Sequence, residues 1–123
     1  MPPPIRVLIA DDHRLFAEAL EAILAAEPEM EVVGRARNGE EAVEQSLALK
    51  PDVILMDITM PVVDGVEATK LIRKKLKRAC VLMLTGSNSR TVVARAREAG
   101  AAAYVTKDRI AAQLIEAIRE LAA

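Results

Sequence analysis

The sequence predicts an α/β fold, a doubly wound three-layer sandwich with one five-stranded parallel sheet. Three observations predict it. Strand-length apolar runs alternate five times with segments of helical hydrophobic spacing. Two of those runs, Val53-Ile54-Leu55-Met56 and Val81-Leu82-Met83-Leu84, are apolar without a break, as strands covered on both faces are. The chain has 123 residues, the size of one domain that buries about two-thirds of its unfolded surface. Right-handed crossovers leave few other topologies for such a pattern.

The elements follow in order. Residues 1–4 carry three successive prolines and read as a disordered lead-in, so the domain is expected over 5–123. Ile5 to Ala10 has strand length. Arg14 to Glu27 places Leu15, Phe16, Ala19, Leu20, Ile23 and Leu24 at helical spacing and stops at Pro28. Glu31 to Ala36 is a weaker strand, expected at the sheet edge. Asn38 is the natural N-cap of a second helix, with Glu41 as its capping-box partner, and that helix stops at about Leu49 before Pro51. Strand 53–56 is followed by an Asp64-Gly65 turn and a helix from about Val66 to Leu76. Strand 81–84 leads to a helix over 90–99, closed by Gly100 at C′. Ala102 to Val105 is the last strand. Ile110, Leu114, Ile118 and Leu121 form one stripe of a closing amphipathic helix.

Composition excludes several function classes. Lys and Arg total 17 against 18 Asp and Glu, a net charge of -1, which is no footprint for nucleic acid or an anionic membrane. Aromatic residues are 2%, too few for base stacking. One Cys and one His exclude an internal disulfide, an all-Cys zinc site and a multi-histidine site. No apolar run reaches the roughly 18 residues of a membrane span, and no secretory signal is visible, so the expectation is a reduced, cytoplasmic compartment.

The polar residues gather where such sheets bind ligands, at the carboxyl ends of the strands. Asp11 and Asp12 follow the first strand, Asp57 the third, Thr85 the fourth, and Thr106 and Lys107 the fifth. Carboxylates about 4 Å apart repel by roughly 4 kcal/mol at an effective dielectric of 20, and a bound cation relieves this. An all-oxygen set suits Mg²⁺, with Mn²⁺ as the alternative. Lys107 supplies a charge for an anion, Thr85 a hydroxyl, and an Asp can be the nucleophile of phosphoryl transfer. His13 is read as a partly exposed residue at a helix start and not as a ligand. Cys80 reads as inert, and Met56, Met60 and Met83 as packing residues.

These motifs resemble those of two-component response-regulator receiver domains. The resemblance rests on Asp11-Asp12, on the stretch Asp57-Ile58-Thr59-Met60-Pro61-Val62-Val63-Asp64-Gly65, on Thr85, and on Tyr104-Val105-Thr106-Lys107. It covers Ile5 to about Leu121 and implies a flavodoxin-like fold. Asp11-Asp12-His13, Val32-Val33-Gly34 and Lys107-Asp108 are similar to the NarL/FixJ-type subfamily, whose output is a LuxR-type helix-turn-helix. The resemblance implies Asp57 as phosphoacceptor, and Asp11, Asp12, Asp57 and the Thr59 carbonyl as Mg²⁺ ligands. It implies Lys107 and Thr85 as phosphoryl-binding groups, and Thr85 and Tyr104 as the switch pair. Pro61 is expected to stiffen the loop. The implied partners are a sensor histidine kinase, a C-terminal DNA-binding domain outside this chain, and a homodimer partner. A stand-alone receiver, a phosphate-independent interaction module and a haloacid-dehalogenase-type phosphatase are the alternatives. The last expects Asp-x-Asp after the first strand, where this chain has adjacent Asp11-Asp12. Many receivers carry Pro after the lysine, and Asp108 here leaves the peptide geometry at Lys107-Asp108 as a question for the structure.

Overall fold

In a computed structural model, which describes residues 3–60, 62–86 and 89–123, strands and helices alternate along the chain. They are β1 (Ile5–Ala10), α1 (Arg14–Ala25), β2 (Met30–Ala36), α2 (Gly39–Leu49), β3 (Val53–Asp57), α3 (Gly65–Lys75), β4 (Cys80–Thr85), α4 (Arg90–Glu98), β5 (Ala103–Thr106) and α5 (Ile110–Ala122). All strand pairings are parallel, in the order β2-β1-β3-β4-β5. This is the doubly wound topology that the alternating pattern predicts, with β2 at the edge.

The uninterrupted apolar strands are explained by two cores, one on each face of the sheet. Leu8, Ile54, Met56, Val81 and Met83 face Ala42 of α2, Ala68 and Ile72 of α3, and Ala96 of α4. Their strand neighbours Val7, Ile9, Val53, Leu55, Leu82 and Leu84 face Leu20 and Leu24 of α1, and Leu114 and Ile118 of α5. Met56 and Met83 are fully buried packing residues, as the sequence indicates.

Several boundaries differ from the expectation. β3 and β4 each run one residue further, so Asp57 and Thr85 are themselves strand residues. α1 ends at Ala25, two residues earlier than its apolar spacing indicates. Asn38 caps α2, its side chain accepting from the Glu41 amide at 2.8 Å, but the reciprocal half of the capping box is absent. Glu41 instead accepts from the Arg37 amide and guanidinium, because Arg37 offers both a donor and an opposite charge one residue earlier. Gly100 takes φ +102 after α4, the left-handed conformation of a helix terminator. Pro3 and Pro4 have no regular structure, whereas Met1, Pro2 and Pro61 lie outside the described residues. No helix among the described residues is long and apolar enough to cross a membrane.

Candidate functional site

The carboxyl ends of β1, β3 and β5 bring the acidic and basic residues into one pocket. Asp11 continues β1, its amide donating to the Ala36 carbonyl of β2 at 3.0 Å. This pins its carboxylate at the sheet end, where Oδ1 accepts from the His13 amide at 2.7 Å. Asp57 ends β3 opposite Leu84 of β4, and the following Ile58 amide donates to the Leu84 carbonyl. Both carboxylates are buried, Asp11 at 3% and Asp57 at 1% exposure. Asp12 is more open, with a side chain 30% exposed.

The loop after Asp57 is held by two close backbone approaches. A Cβ on Gly65 would lie 2.2 Å from the Asp57 carbonyl oxygen, and one on Gly39 would lie 1.8 Å from that of Val63. Only hydrogen at these positions lets α3 begin against the end of β3 and α2 against the loop that follows it. Asp64 caps α3 by accepting from the Glu67 amide at 2.9 Å. Thr59 is exposed, and its amide donates to Asp57 Oδ1 at 3.3 Å.

Lys107 follows β5 in a short 3-10 turn, with its ammonium 3.4 Å from Asp57 Oδ1. The same ammonium stands 4.8 Å from the centre of the Phe16 ring on α1, a cation–π contact. Phe16 was legible only as a core-facing helix residue, because the contact joins elements distant in sequence. The Lys107-Asp108 bond is trans; there is no cis peptide among the described residues. Thr85, 2% exposed, ends β4 beside Thr106 of β5. A Cβ on the next residue, Gly86, would meet nothing within 4 Å, so there is open space beside the strand end. Tyr104 lies apart from this pocket. It is 37% exposed and, with Arg90, Val93 and Arg97 of α4, lines a groove on the outer face.

Charge within the pocket is incompletely balanced. Burial pushes the Asp57 carboxyl above the usual carboxylate range, and the Asp11 charge pushes the same way. Lys107 and the Thr59 amide oppose both. Two buried oxygens, Asp11 Oδ2 and Asp57 Oδ2, have no hydrogen-bond partner. Uncompensated buried carboxylate oxygens are costly, and a divalent cation satisfies both at once. Asp11, Asp12 and Asp57 therefore fit Mg²⁺ by donor type and by unmet demand. His13, set aside as a ligand on the sequence, stands in the same group and has an exposed side chain. Its Nδ1 lies 3.3 Å from Asp11 Oδ1 and 3.2 Å from Asp12 Oδ1.

Comparison with known proteins agrees with this geometry. Residues 7–119 match the family model of the response regulator receiver domain. The chain is 43% identical over 114 residues to the transcriptional regulatory protein LnrK of Bacillus subtilis, covering 93% of this chain and 52% of LnrK. It spans about half the length of the curated relatives it matches. Among solved structures, a two-component response regulator of the LuxR family from Aurantimonas superposes with TM-score 0.92 at 33% identity, over 97% of this chain and 85% of that one. A complex of CheX with CheY, BeF₃ and Mg from Borrelia burgdorferi gives TM-score 0.90 at 27% identity, over 97% and 90%.

Proposed function

The chain belongs to the response regulator receiver domain family, and from that premise we propose that it accepts a phosphoryl group on Asp57 from the phosphohistidine of a sensor kinase. The observation that carries this reading is Asp57 itself. Its buried carboxylate has one oxygen against Lys107 and the other without a hydrogen bond, beside the Asp11 carboxylate. In the transfer, an Asp57 oxygen attacks phosphorus while the bond to the kinase imidazole nitrogen breaks. The leaving imidazole keeps the electron pair and takes up a proton. Lys107 neutralises phosphoryl oxygens and holds Asp57 in line. Asp11, Asp12, Asp57 and the Thr59 carbonyl would hold Mg²⁺, which supplies electrostatic stabilisation of the transferring group. The chain is not a conventional enzyme; its own carboxylate is the acceptor.

The phosphoryl group adds roughly -1.5 to -2 charge and three acceptor oxygens. Thr85 donates its hydroxyl to one of them, and Tyr104 turns inward from its exposed position. The face formed by α4, β5 and α5 then changes. The names of LnrK and of the LuxR-family structure support a helix-turn-helix output domain outside this chain, which alone would contact DNA. A cytoplasmic regulator that dimerises on phosphorylation completes the proposal.

Intact mass after incubation with acetyl phosphate and Mg²⁺ tests the first step. One phosphoryl adduct on the wild type and none on Asp57→Asn is the expected result. Equal labelling of both would overturn it. No adduct on the wild type, together with no BeF₃⁻ binding, would favour a phosphate-independent interaction module.

A further inference from the structure

We propose that the cleft at the amino ends of β3 and β4 docks an acidic segment of a partner protein that also carries aliphatic side chains. The cleft lies at the opposite end of these strands from Asp57 and Thr85, and the proposal does not rest on phosphoryl acceptance. Residues 70–78 place six of the chain's 17 basic residues within nine positions, with no acid among them, in a protein of net charge -1. Contacts inside the chain occupy two of the six. Lys70 stands 3.9 Å from Glu67, and the Arg73 guanidinium donates to the Lys77 carbonyl and, at 2.9 Å, to that of Ala79. Lys74, Lys75, Lys77 and Arg78 are exposed and have no ion-pair partner among the described residues. The negative end of the α3 dipole accounts for Lys74 and Lys75. It does not account for Lys77 and Arg78, which lie beyond the helix, or for Lys50, the exposed residue that ends α2 and shares the cleft.

The make-up of the cleft points to the class of ligand. It encloses about 520 Å³, and Lys50, Lys75, Lys77 and Arg78 share it with Leu76 and Leu121. Asp52, the acid in its lining, accepts from the Arg6 amide at 2.9 Å, and the cations outnumber it four to one. Like charges gathered in a cleft repel one another, and an anionic ligand removes that repulsion. Carboxylates along a peptide segment would meet the lysines while its aliphatic side chains cover the leucines. Nucleic acid fits less well. Both aromatic residues, Phe16 and Tyr104, stand elsewhere, so no base finds a stacking surface here. Glu29 and Asp52 line the adjoining cleft, where a duplex broad enough to span both would meet like charge.

The test is an NMR titration of the ¹⁵N-labelled 123-residue chain with a short peptide of alternating Glu and Leu, its Glu and Ser counterpart, and a short DNA duplex. The Glu and Leu peptide is expected to shift the amides of Lys50, Leu76, Lys77 and Cys80. It is expected to bind at least about tenfold more tightly than the Glu and Ser peptide, because burial of one leucine is worth about that factor. Added salt is expected to weaken it. Lys75→Glu combined with Lys77→Glu, both exposed and remote from Asp57, is expected to lower the affinity at least about tenfold. The rest of the amide spectrum and the labelling of Asp57 by acetyl phosphate are expected to stay as in the wild type. Absence of shifts at these amides overturns the proposal, as does unchanged affinity in the charge-reversed variant. Equal affinity for the two peptides overturns it too, since charge alone would then bind. Tighter binding of the duplex at the same amides overturns it in favour of nucleic acid. Failure of the labelling in the wild type would overturn phosphoryl acceptance and leave the docking cleft standing, which separates the two failures.

Discussion

Asp57 carries a stability cost that its proposed function requires. In the folded chain its carboxyl is held above the usual range by burial and by Asp11. The folded state therefore binds the proton more tightly than the unfolded state. Between the two values the folded chain holds more protons, so stability falls as pH rises through that window. The cost is absent below the ordinary carboxyl range and grows as pH rises through the window. Asp57→Asn is expected to raise neutral-pH stability, on the order of 1 kcal/mol for an unsatisfied buried oxygen, with the gain fading in acid. Urea unfolding at several pH values in metal-free buffer checks this, and a gain that grows in acid would contradict it. Saturating Mg²⁺ should stabilise the wild type more than the variant and close the gap. Phe16 permits a second test at this scale, because its ring supports the Lys107 ammonium. Phe16→Leu keeps an apolar side chain of somewhat smaller volume and removes a cation–π contact of about 0.5–1 kcal/mol. Phosphorylation by acetyl phosphate is expected to slow by about two- to fivefold, and an unchanged rate would make Phe16 a packing residue only. Asp57 and Lys107 were legible because each closes a recognisable strand. Phe16 was not, since its part in the site depends on where α1 crosses the sheet end.

The element that sets the site is the loop from β3 to α3. Val62 sits there with φ +70 and is 75% exposed. A β-branched residue in the left-handed region is strained, at a cost of about 1–3 kcal/mol. Val62→Gly is expected to raise stability by about 1 kcal/mol, part of the relief being offset by the greater entropy of unfolded glycine. Thermal unfolding checks it, and a lower Tm would show that Val62 makes contacts worth more than the strain. Gly39→Ala should act in the opposite direction, because its Cβ would collide with the backbone of Val63. A loss of more than about 2 kcal/mol is expected, with weaker Mg²⁺ binding as the loop is displaced. Strands and helices were readable here from apolar runs bounded by Pro51, Asp64 and Gly100, which encode local conformation. The left-handed turn at Val62 was not, because the conformational preference of valine points away from it. The missing half of the Asn38 capping box has a similar origin. Spacing identifies a partner at Glu41, whereas the neighbouring Arg37 competes for the same carboxylate.

Across the whole molecule, the proposed phosphoryl site and the outer face are joined by β4 and β5. Thr85 pairs with Thr106 and Met83 with Tyr104 in one parallel register, two residues apart along each strand. A pull on Thr85 is thus delivered to the strand that carries Tyr104. Tyr104 is 37% exposed in this state, beside α4. The proposed switch needs a second state in which the ring is covered. Moving such an equilibrium from 1:99 to 99:1 takes a differential affinity of about 5.5 kcal/mol, which several charge-assisted hydrogen bonds to a phosphoryl group can supply. The chain has one Tyr and no Trp, so its intrinsic emission reports this ring alone. Addition of BeF₃⁻ with Mg²⁺ is expected to reduce acrylamide quenching of that emission in the wild type. Thr85→Ala should still bind BeF₃⁻ through Asp57 and Lys107, yet leave the quenching near its starting value. Protection of Tyr104 in Thr85→Ala equal to that in the wild type would break the proposed link between the two strand ends. It would leave phosphoryl acceptance at Asp57 intact and would require another route to the face of α4, β5 and α5.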